Sequence, residues 1–495
     1  MTSSTSDNVP TIERLHSAVP GFDQILGGGL FRTGVYIIQG LPGCGKTILA
    51  NQICYGHVAE GGSAVYVTLL AESHSRMIQH LSTLSFFDVK AFPDKLAYIS
   101  AFHDLETAGL KGLMDVLRRE MRTRKVGVLV LDGLVAASEG TSDLDLKKFI
   151  HELQSIAVLQ DCTVLLLTSG NIHRMAAEHT MVDGLVELED KLFEARSERS
   201  IQVRKFRGAG PLRGKHSMRI DNDGITVFPR IESLYRIAAG DAASSETAVT
   251  TGVPSLDALL AIRGVPASSA TVVIGSTGTG KTTLGLHFLH ASTPDEPGLH
   301  LGFFEGPDRL RSKARSMGLA LEPLEASGAV ELMWQSPVEA SVDEIAERLL
   351  AAVARRSVRR LVVDGLSGFL ESTVYPERIA RFFSCLVNEL RNRRVTVLMS
   401  LETRDVVSSV ISMPWGVSGL VDNLFFLRFV HDEGHVERLL TIIKMRDTDY
   451  QAGLRRLRID SQGMHIAGTY RADGDVIPSA QPVSNPEGAA PSLTK

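Results

Sequence analysis

Gly40-Leu41-Pro42-Gly43-Cys44-Gly45-Lys46-Thr47 carries glycines, a lysine and a hydroxyl at the spacing G-x-x-x-x-G-K-[ST], the pattern of a phosphate cradle. Glycines let backbone N–H groups turn inward onto phosphate oxygens, and the start of the following helix adds its positive dipole end. In such a loop Lys46 reaches the β- and γ-phosphates of ATP, and the Thr47 hydroxyl ligates Mg²⁺. The candidate nucleotide contacts are Gly40, Gly43, Cys44, Gly45, Lys46, Thr47 and Ile48. A second complete loop, Gly275-Ser276-Thr277-Gly278-Thr279-Gly280-Lys281-Thr282, adds Gly275, Gly278, Thr279, Gly280, Lys281, Thr282 and Thr283. Two ATP and two Mg²⁺ are therefore expected per chain.

Phosphoryl transfer also needs an acid for the metal and a group that orients the attacking oxygen. Asp132 ends the apolar run Val128-Leu129-Val130-Leu131, and Asp364 ends Leu361-Val362-Val363. Both are placed to hold Mg²⁺ beside Thr47 and Thr282. Glu72 and Glu305 end the strand that follows each P-loop helix, where a carboxylate can polarise water for attack on the γ-phosphate. With Lys46 and Lys281 they are the catalytic candidates. Lys205/Arg207 and Lys444/Arg446 alternate along strand-like segments, which puts each pair on one face. Such a pair can form a finger onto a phosphate held by a neighbouring subunit. The histidines carry no metal-ligand spacing.

These residues need a particular scaffold. Apolar runs at Val35-Tyr36-Ile37-Ile38, Ala64–Leu70, Gly127–Asp132 and Thr163–Thr168 alternate with helical patterns near Ser75–Ser82, Gly109–Arg122 and Asp145–Gln160. Strands apolar on both faces, joined by helices, predict a parallel sheet covered on both sides. The landmarks then recur. Lys281, Glu305, Asp364, Val421-Asp422 and Lys444-x-Arg446 follow Lys46, Glu72, Asp132, Val182-Asp183 and Lys205-x-Arg207 in order, each 232 to 239 residues later. A nearly constant offset over five landmarks means duplication of a whole domain. The expected organisation is a disordered N-terminus over 1–10, a first domain over 11–237 and a flexible linker over 238–248. A second domain follows over 249–470, with a disordered Pro/Ser/Ala/Gly-rich tail over 471–495.

The 495 residues, 44% hydrophobic and 22% charged, can bury large cores, and a net charge of −5 offers no general attraction to nucleic acid or anionic membrane. The four cysteines show no C-x-x-C pairing, which argues against zinc or a disulfide framework and for a reducing, cytoplasmic setting. No apolar run approaches the length of a membrane span.

Together, the paired P-loops, the Thr251-Gly252-Val253-Pro254-x-Leu256-Asp257 segment, the strand-end glutamates, Val421-Asp422-Asn423-Leu424 and Lys-x-Arg resemble the KaiC family of RecA-like ATPases over residues 12–468. The resemblance implies an α/β fold of two tandem RecA-like P-loop domains, each a mainly parallel twisted sheet flanked by helices. It also implies a two-tiered homo-hexameric ring with Mg·ATP between subunits, touched across the interface by Lys205, Arg207, Lys444 and Arg446. The first tier would be a slow ATPase, and the second would phosphorylate its own serine or threonine. Thr83 and Met317 fall where the family flanks adenine. The implied partners are further copies of the chain and clock-type or signalling proteins. Family members commonly carry two consecutive glutamates at the strand end; here the copies read Ala71-Glu72 and Phe304-Glu305. The family's phosphorylated Ser-Thr pair falls at Ser418-Gly419, leaving Ser418 as the candidate phosphosite. Two other readings are a RecA-like recombination or repair ATPase and a nucleotide-sensing scaffold with little turnover. The first needs DNA-facing loops, and neither 170–178 nor Asp405–Trp415 reads as a nucleic-acid surface.

Overall fold

The structure, a computed structural model, describes residues 13–69, 74–134, 137, 141–169, 180–193, 195–235, 247–403, 421–432 and 434–470. Glu72, Ser418, the terminal segments 1–10 and 471–495, linker residues 238–246 and the two loops considered for DNA lie outside these residues. The chain forms two compact units. The first comprises the described residues up to 235 with Pro337–Ala351 and Glu371–Asn388, and the second holds the rest.

The first P-loop domain is built on nine strands: β1 (Val35–Gly40), β2 (Ala64–Thr68), β3 (Leu96–Ser100), β4 (Val128–Asp132), β5 (Thr163–Thr168), β6 (Gly184–Phe193), β7 (Arg196–Phe206), β8 (Lys215–Asp221) and β9 (Gly224–Phe228). Their order in the sheet is β3-β2-β4-β5-β1-β6-β7-β8-β9. From β3 to β6 every pairing is parallel, and from β6 to β9 every pairing is antiparallel.

Strand period two sorts the side chains onto two faces. Tyr36, Ile38, Tyr66, Val128, Val130 and Leu165 join one core. Val35, Ile37, Val65, Val67, Leu129 and Leu166 join the other. Helix α1 (Lys46–Ala59) covers the first face through Leu49, Ala50 and Ile53. The second is covered by α2 (Phe102–Arg124) through Leu113, Leu117 and Met121, and by α3 (Asp143–Leu159) through Phe149, Ile150 and Leu153. Burying each such leucine or isoleucine is worth about 1.5–3 kcal/mol, which is why strands with no polar face are stable here. Local signals set the helix ends. The Ser142 hydroxyl caps α3 by accepting from the Asp145 N–H at 3.1 Å, and Asp143 and Asp145 stand in its first turn. Helix α2 starts earlier than the Gly109–Arg122 expectation, because a kink at Gly109 (φ 61°) joins a preceding helical stretch onto it.

The second P-loop domain repeats the plan. Its strands are β10 (Ala270–Gly275), β11 (Gly298–Gly302), β12 (Val330–Trp334), β13 (Arg360–Asp364), β14 (Thr396–Glu402), β15 (Asn423–Asp432), β16 (His435–Lys444), β17 (Leu454–Asp460) and β18 (Gly463–Thr469). The order β12-β11-β13-β14-β10-β15-β16-β17-β18 matches the first sheet strand for strand. Helix α4 (Lys281–His290) follows β10, and α5 (Pro307–Arg315) follows β11. Val273, Leu284, Phe288, Val362, Leu398 and Phe425 pack in one core. Ala248, at the end of the segment read as a linker, already pairs with Pro266.

Candidate nucleotide sites

In each domain the P-loop strand lies between β5 and β6, or between β14 and β15, at the centre of the sheet. Parallel register brings the carboxyl ends of β1, β2, β4 and β5 to one edge, where ligands bind in doubly wound sheets. The two loops adopt the same conformation. Gly45 (φ 106°) and Gly280 (φ 110°) stand immediately before α1 and α4 in the left-handed region, and Gly43 and Gly278 are left-handed as well. A β-carbon on Gly40 would meet the Leu188 carbonyl oxygen at 2.4 Å and the Cys44 sulfur at 2.5 Å. On Gly275 it would meet the Leu427 carbonyl oxygen at 2.5 Å. Only glycine fits either position.

The two lysines lie alike. Lys46 Nζ donates to the Gly40 and Leu41 carbonyls at 2.7 and 3.1 Å. Lys281 Nζ donates to the Gly275 and Ser276 carbonyls at 2.8 Å each. Each ammonium therefore lies across its own loop, where phosphate oxygens would meet it. Burial lowers the Lys281 pKa, and the charges of Glu402 and Asp364 oppose that. Cys44 and Thr279 are fully buried at the same loop position. Burial pushes the Cys44 thiol up, and the Thr279 hydroxyl donates to the Ser276 carbonyl at 2.8 Å. Their side chains brace the loop, leaving the backbone as the part that could face a nucleotide.

Asp132 stands at the end of β4, two strands from the P-loop. The buried Tyr66 hydroxyl, on β2, donates to Asp132 Oδ2 at 2.6 Å. Burial first, and then the Asp132 charge, drive the Tyr66 phenol well above its ordinary pKa, while a hydrogen bond with Thr47 pulls the other way. Tyr66 thus touches Asp132 close to Thr47. In the second domain Asp364 Oδ1 accepts from the Ser400 hydroxyl at 2.6 Å. His300, at the register position of Tyr66, is buried with Nε2 4.0 Å from Asp364 Oδ2. Burial holds its imidazole below the usual range, against the pull of Asp364 and Glu305.

Glu305 follows β11 and is held by Lys313 of α5 through both oxygens, at 3.3 and 3.2 Å. It lines a cavity of about 220 Å³ together with Lys281, Thr282, Phe304, Asp364 and Glu402. Thr83 is exposed, its hydroxyl on the His80 carbonyl at 2.8 Å, whereas Met317 is buried in the second core.

The basic pairs sit elsewhere. Lys205 pairs with Leu185 across β6 and β7, and Phe206 pairs with Gly184, which is itself level with Tyr36 near the start of β1. Arg207 is one step further from the P-loop, about 17 Å from the level of Gly40 along the strand direction. Lys205 Nζ and Arg207 Nη2 both reach the Thr180 carbonyl at 2.9 Å, so the pair shares one face as alternation requires. In the second domain Lys444 reaches the Val421 carbonyl at 2.7 Å and Arg446 the Asp422 carboxylate at 3.2 Å. The duplicated aspartates hold the scaffold. Asp183 accepts from the Val35 N–H and Asp422 from the Ala270 N–H, each at 2.9 Å, capping the start of the P-loop strand.

Among the described residues no group of three or more His, Cys, Asp or Glu could hold a metal ion. For the metal, each site instead places one P-loop threonine hydroxyl and one strand-end aspartate. A sparse, hard oxygen set of this kind fits Mg²⁺, which keeps waters and shares substrate phosphates. Tyr66, His300, Ser400 and Glu402 escaped the sequence reading. The available signal was a polar side chain in an otherwise apolar strand.

A P-loop cradle built twice at the carboxyl edge of doubly wound sheets, each with an aspartate ending a nearby strand, defines a tandem RecA-like P-loop ATPase. The family model for the KaiC ATPase matches twice, over residues 15–232 and 249–470. The chain belongs to the KaiC family. Among similar proteins is the circadian clock protein KaiC2 of Synechocystis sp., 26% identical over 94% of this chain and 84% of that one. The circadian clock oscillator protein KaiC of Picosynechococcus sp. is 24% identical, covering 95% and 92%. KaiC3 of Synechocystis sp. is 25% identical, covering 93% of each. No described helix is long and apolar enough to cross a membrane.

Proposed function

We propose that this protein binds Mg·ATP at both P-loops and hydrolyses it within a two-tiered ring of identical chains, a homo-hexamer, working in the cytoplasm. Gly40, Gly43, Cys44, Gly45 and Ile48 would cradle the phosphates through the backbone, as would Gly275, Gly278, Thr279, Gly280 and Thr283. Lys46 and Lys281 would hold the β/γ-oxygens, with Thr47/Asp132 and Thr282/Asp364 holding Mg²⁺, whose charge neutralises the transferring phosphoryl group. Glu72 and Glu305 would orient the attacking water.

The observation that carries the ring is the position of the basic pairs. Lys205/Arg207 and Lys444/Arg446 lie toward the sheet edge opposite their own P-loops. Cations there serve a phosphate only if a second copy presents it, which is a heterologous head-to-tail contact of the kind that closes rings. Mixing tests this. Lys46→Ala/Lys281→Ala chains and Arg207→Ala/Arg446→Ala chains should each be inactive alone. Assembled together in equal amounts, they should regain up to about a quarter of wild-type turnover, because some interfaces then combine an intact loop with an intact finger. No recovery from co-assembled chains counts against action across the interface.

The second site also carries the kinase reading, transfer of the γ-phosphoryl group to Ser418. Incubation with γ-labelled ATP and phosphopeptide mapping separates the two reactions. Label on Ser418 makes the second tier an autokinase, whereas label in inorganic phosphate alone leaves hydrolysis as the whole reaction.

A further inference from the structure

Strand β14 ends in an acid that the P-loop pattern does not call for. Glu402 lies in parallel register with Gly275, the first residue of the second P-loop. It accepts a hydrogen bond from the Thr277 hydroxyl inside that loop. It also lines the same 220 Å³ cavity as Lys281, Thr282, Glu305 and Asp364. Against the burial that lowers the Lys281 pKa, Glu402 exerts the strongest opposing charge, ahead of Asp364. The carboxylate therefore stands next to the lysine that would grip the γ-phosphate.

The other acids of the cavity have other assignments, Asp364 to the metal and Glu305 to the Lys313 ammonium. Asp364 accepts from Ser400, and Glu305 is clasped by Lys313. Among the described residues Glu402 is hydrogen-bonded to the Thr277 hydroxyl and has no ion-pair partner. In the first domain Ser169 takes the corresponding place after β5, so the two sites differ here by a full charge.

We propose that Glu402 is a catalytic residue of the second site, accepting the proton of the attacking water that Glu305 would orient. This rests on the ATP hydrolysis proposed above. The water oxygen forms a bond to the γ-phosphorus while the bond from that phosphorus to the β,γ-bridging oxygen breaks. The bridging oxygen keeps the electron pair and leaves on ADP. The water proton passes to the Glu402 carboxylate and then to solvent, giving ADP, inorganic phosphate and a proton.

The test uses the full chain as wild type, Glu402→Gln, Lys281→Ala and the double variant, and reads two quantities in each: ATP turnover and nucleotides retained per chain. Glutamine still accepts from the Thr277 hydroxyl, so the tie to the loop survives while the base is lost. Glu402→Gln should retain nucleotide at both sites, yet turn over no faster than Lys281→Ala. That corresponds to a loss of about 10²-fold or more in second-site kcat. It should add nothing further in the Lys281→Ala background. Wild-type turnover in Glu402→Gln overturns the proposal, and so does loss of the second bound nucleotide, which would make Glu402 a binding or structural group. If wild type and Lys281→Ala turn over equally, the second site does not hydrolyse ATP, and the broader reading fails along with the proposal.

Discussion

Tyr66 shows how much a single hydroxyl can decide. Its phenol is kept un-ionised by burial and by the carboxylate it touches, so it remains a donor and fixes one oxygen of Asp132. Tyr66→Phe keeps the ring packing and removes only that bond, a net loss of about 1 kcal/mol. The expected outcome is a roughly fivefold higher Mg²⁺ requirement for first-site hydrolysis, with little change in the ATP KM at saturating Mg²⁺. A Mg²⁺ titration of turnover in a Lys281→Ala background measures it, and an unchanged titration would remove Tyr66 from the site. The P-loop lysines and threonines stand out in sequence because the loop is one contiguous pattern, and Asp132 and Asp364 because each ends an apolar run. Tyr66, His300, Ser400 and Glu402 do not, because each acts on a residue brought to it from another element. Their partners follow only from the order β2-β4-β5-β1 and its repeat β11-β13-β14-β10, which no local pattern encodes.

At the scale of elements, strand existence and type were readable from apolar runs and their flanks, and the duplicated offset predicted the second sheet from the first. The antiparallel half was less legible, since β7 to β9 mix polar and apolar residues and take their pairing from hairpin contacts. Strand β8 holds a consequence for pH. His216 is fully buried, with Nε2 on the Leu212 carbonyl and Nδ1 accepting from the Arg230 N–H, each at 3.0 Å. One neutral tautomer satisfies both contacts, and burial holds the group at about 4. The unfolded chain takes up this proton near pH 6.5, so stability is fully present above that value and falls as pH drops towards 4. Between pH 7 and pH 5 the wild type should lose about 2 kcal/mol more than His216→Gln, read from urea unfolding at the two pH values. Equal losses would show that His216 is protonated in the folded protein.

For the whole molecule the prediction concerns size. If each nucleotide is closed over by a second copy, light scattering should show mass rising with Mg·ATP, and Arg207→Ala/Arg446→Ala should blunt the rise while nucleotide binding persists at higher concentration. A mass indifferent to ATP would leave two independent sites on one chain. Duplication also leaves the sites unequal: Tyr66 faces Asp132 where His300 faces Asp364, and Ser169 stands where Glu402 does. Two rates from one chain are expected on that ground, and turnover of Lys46→Ala against Lys281→Ala reads them separately.

Asp422 joins two features that are otherwise far apart. One oxygen caps the first residue of β10, the strand that ends in the second P-loop, and the other is held by Arg446. In a closed ring the phosphates of the adjoining copy would draw Arg446 away and leave Asp422 to Arg391, and release of a γ-phosphate there would let the Arg446 tether re-form at the root of this chain's own loop. One carboxylate would thereby register, at the root of this chain's loop, whether its neighbour still holds a γ-phosphate.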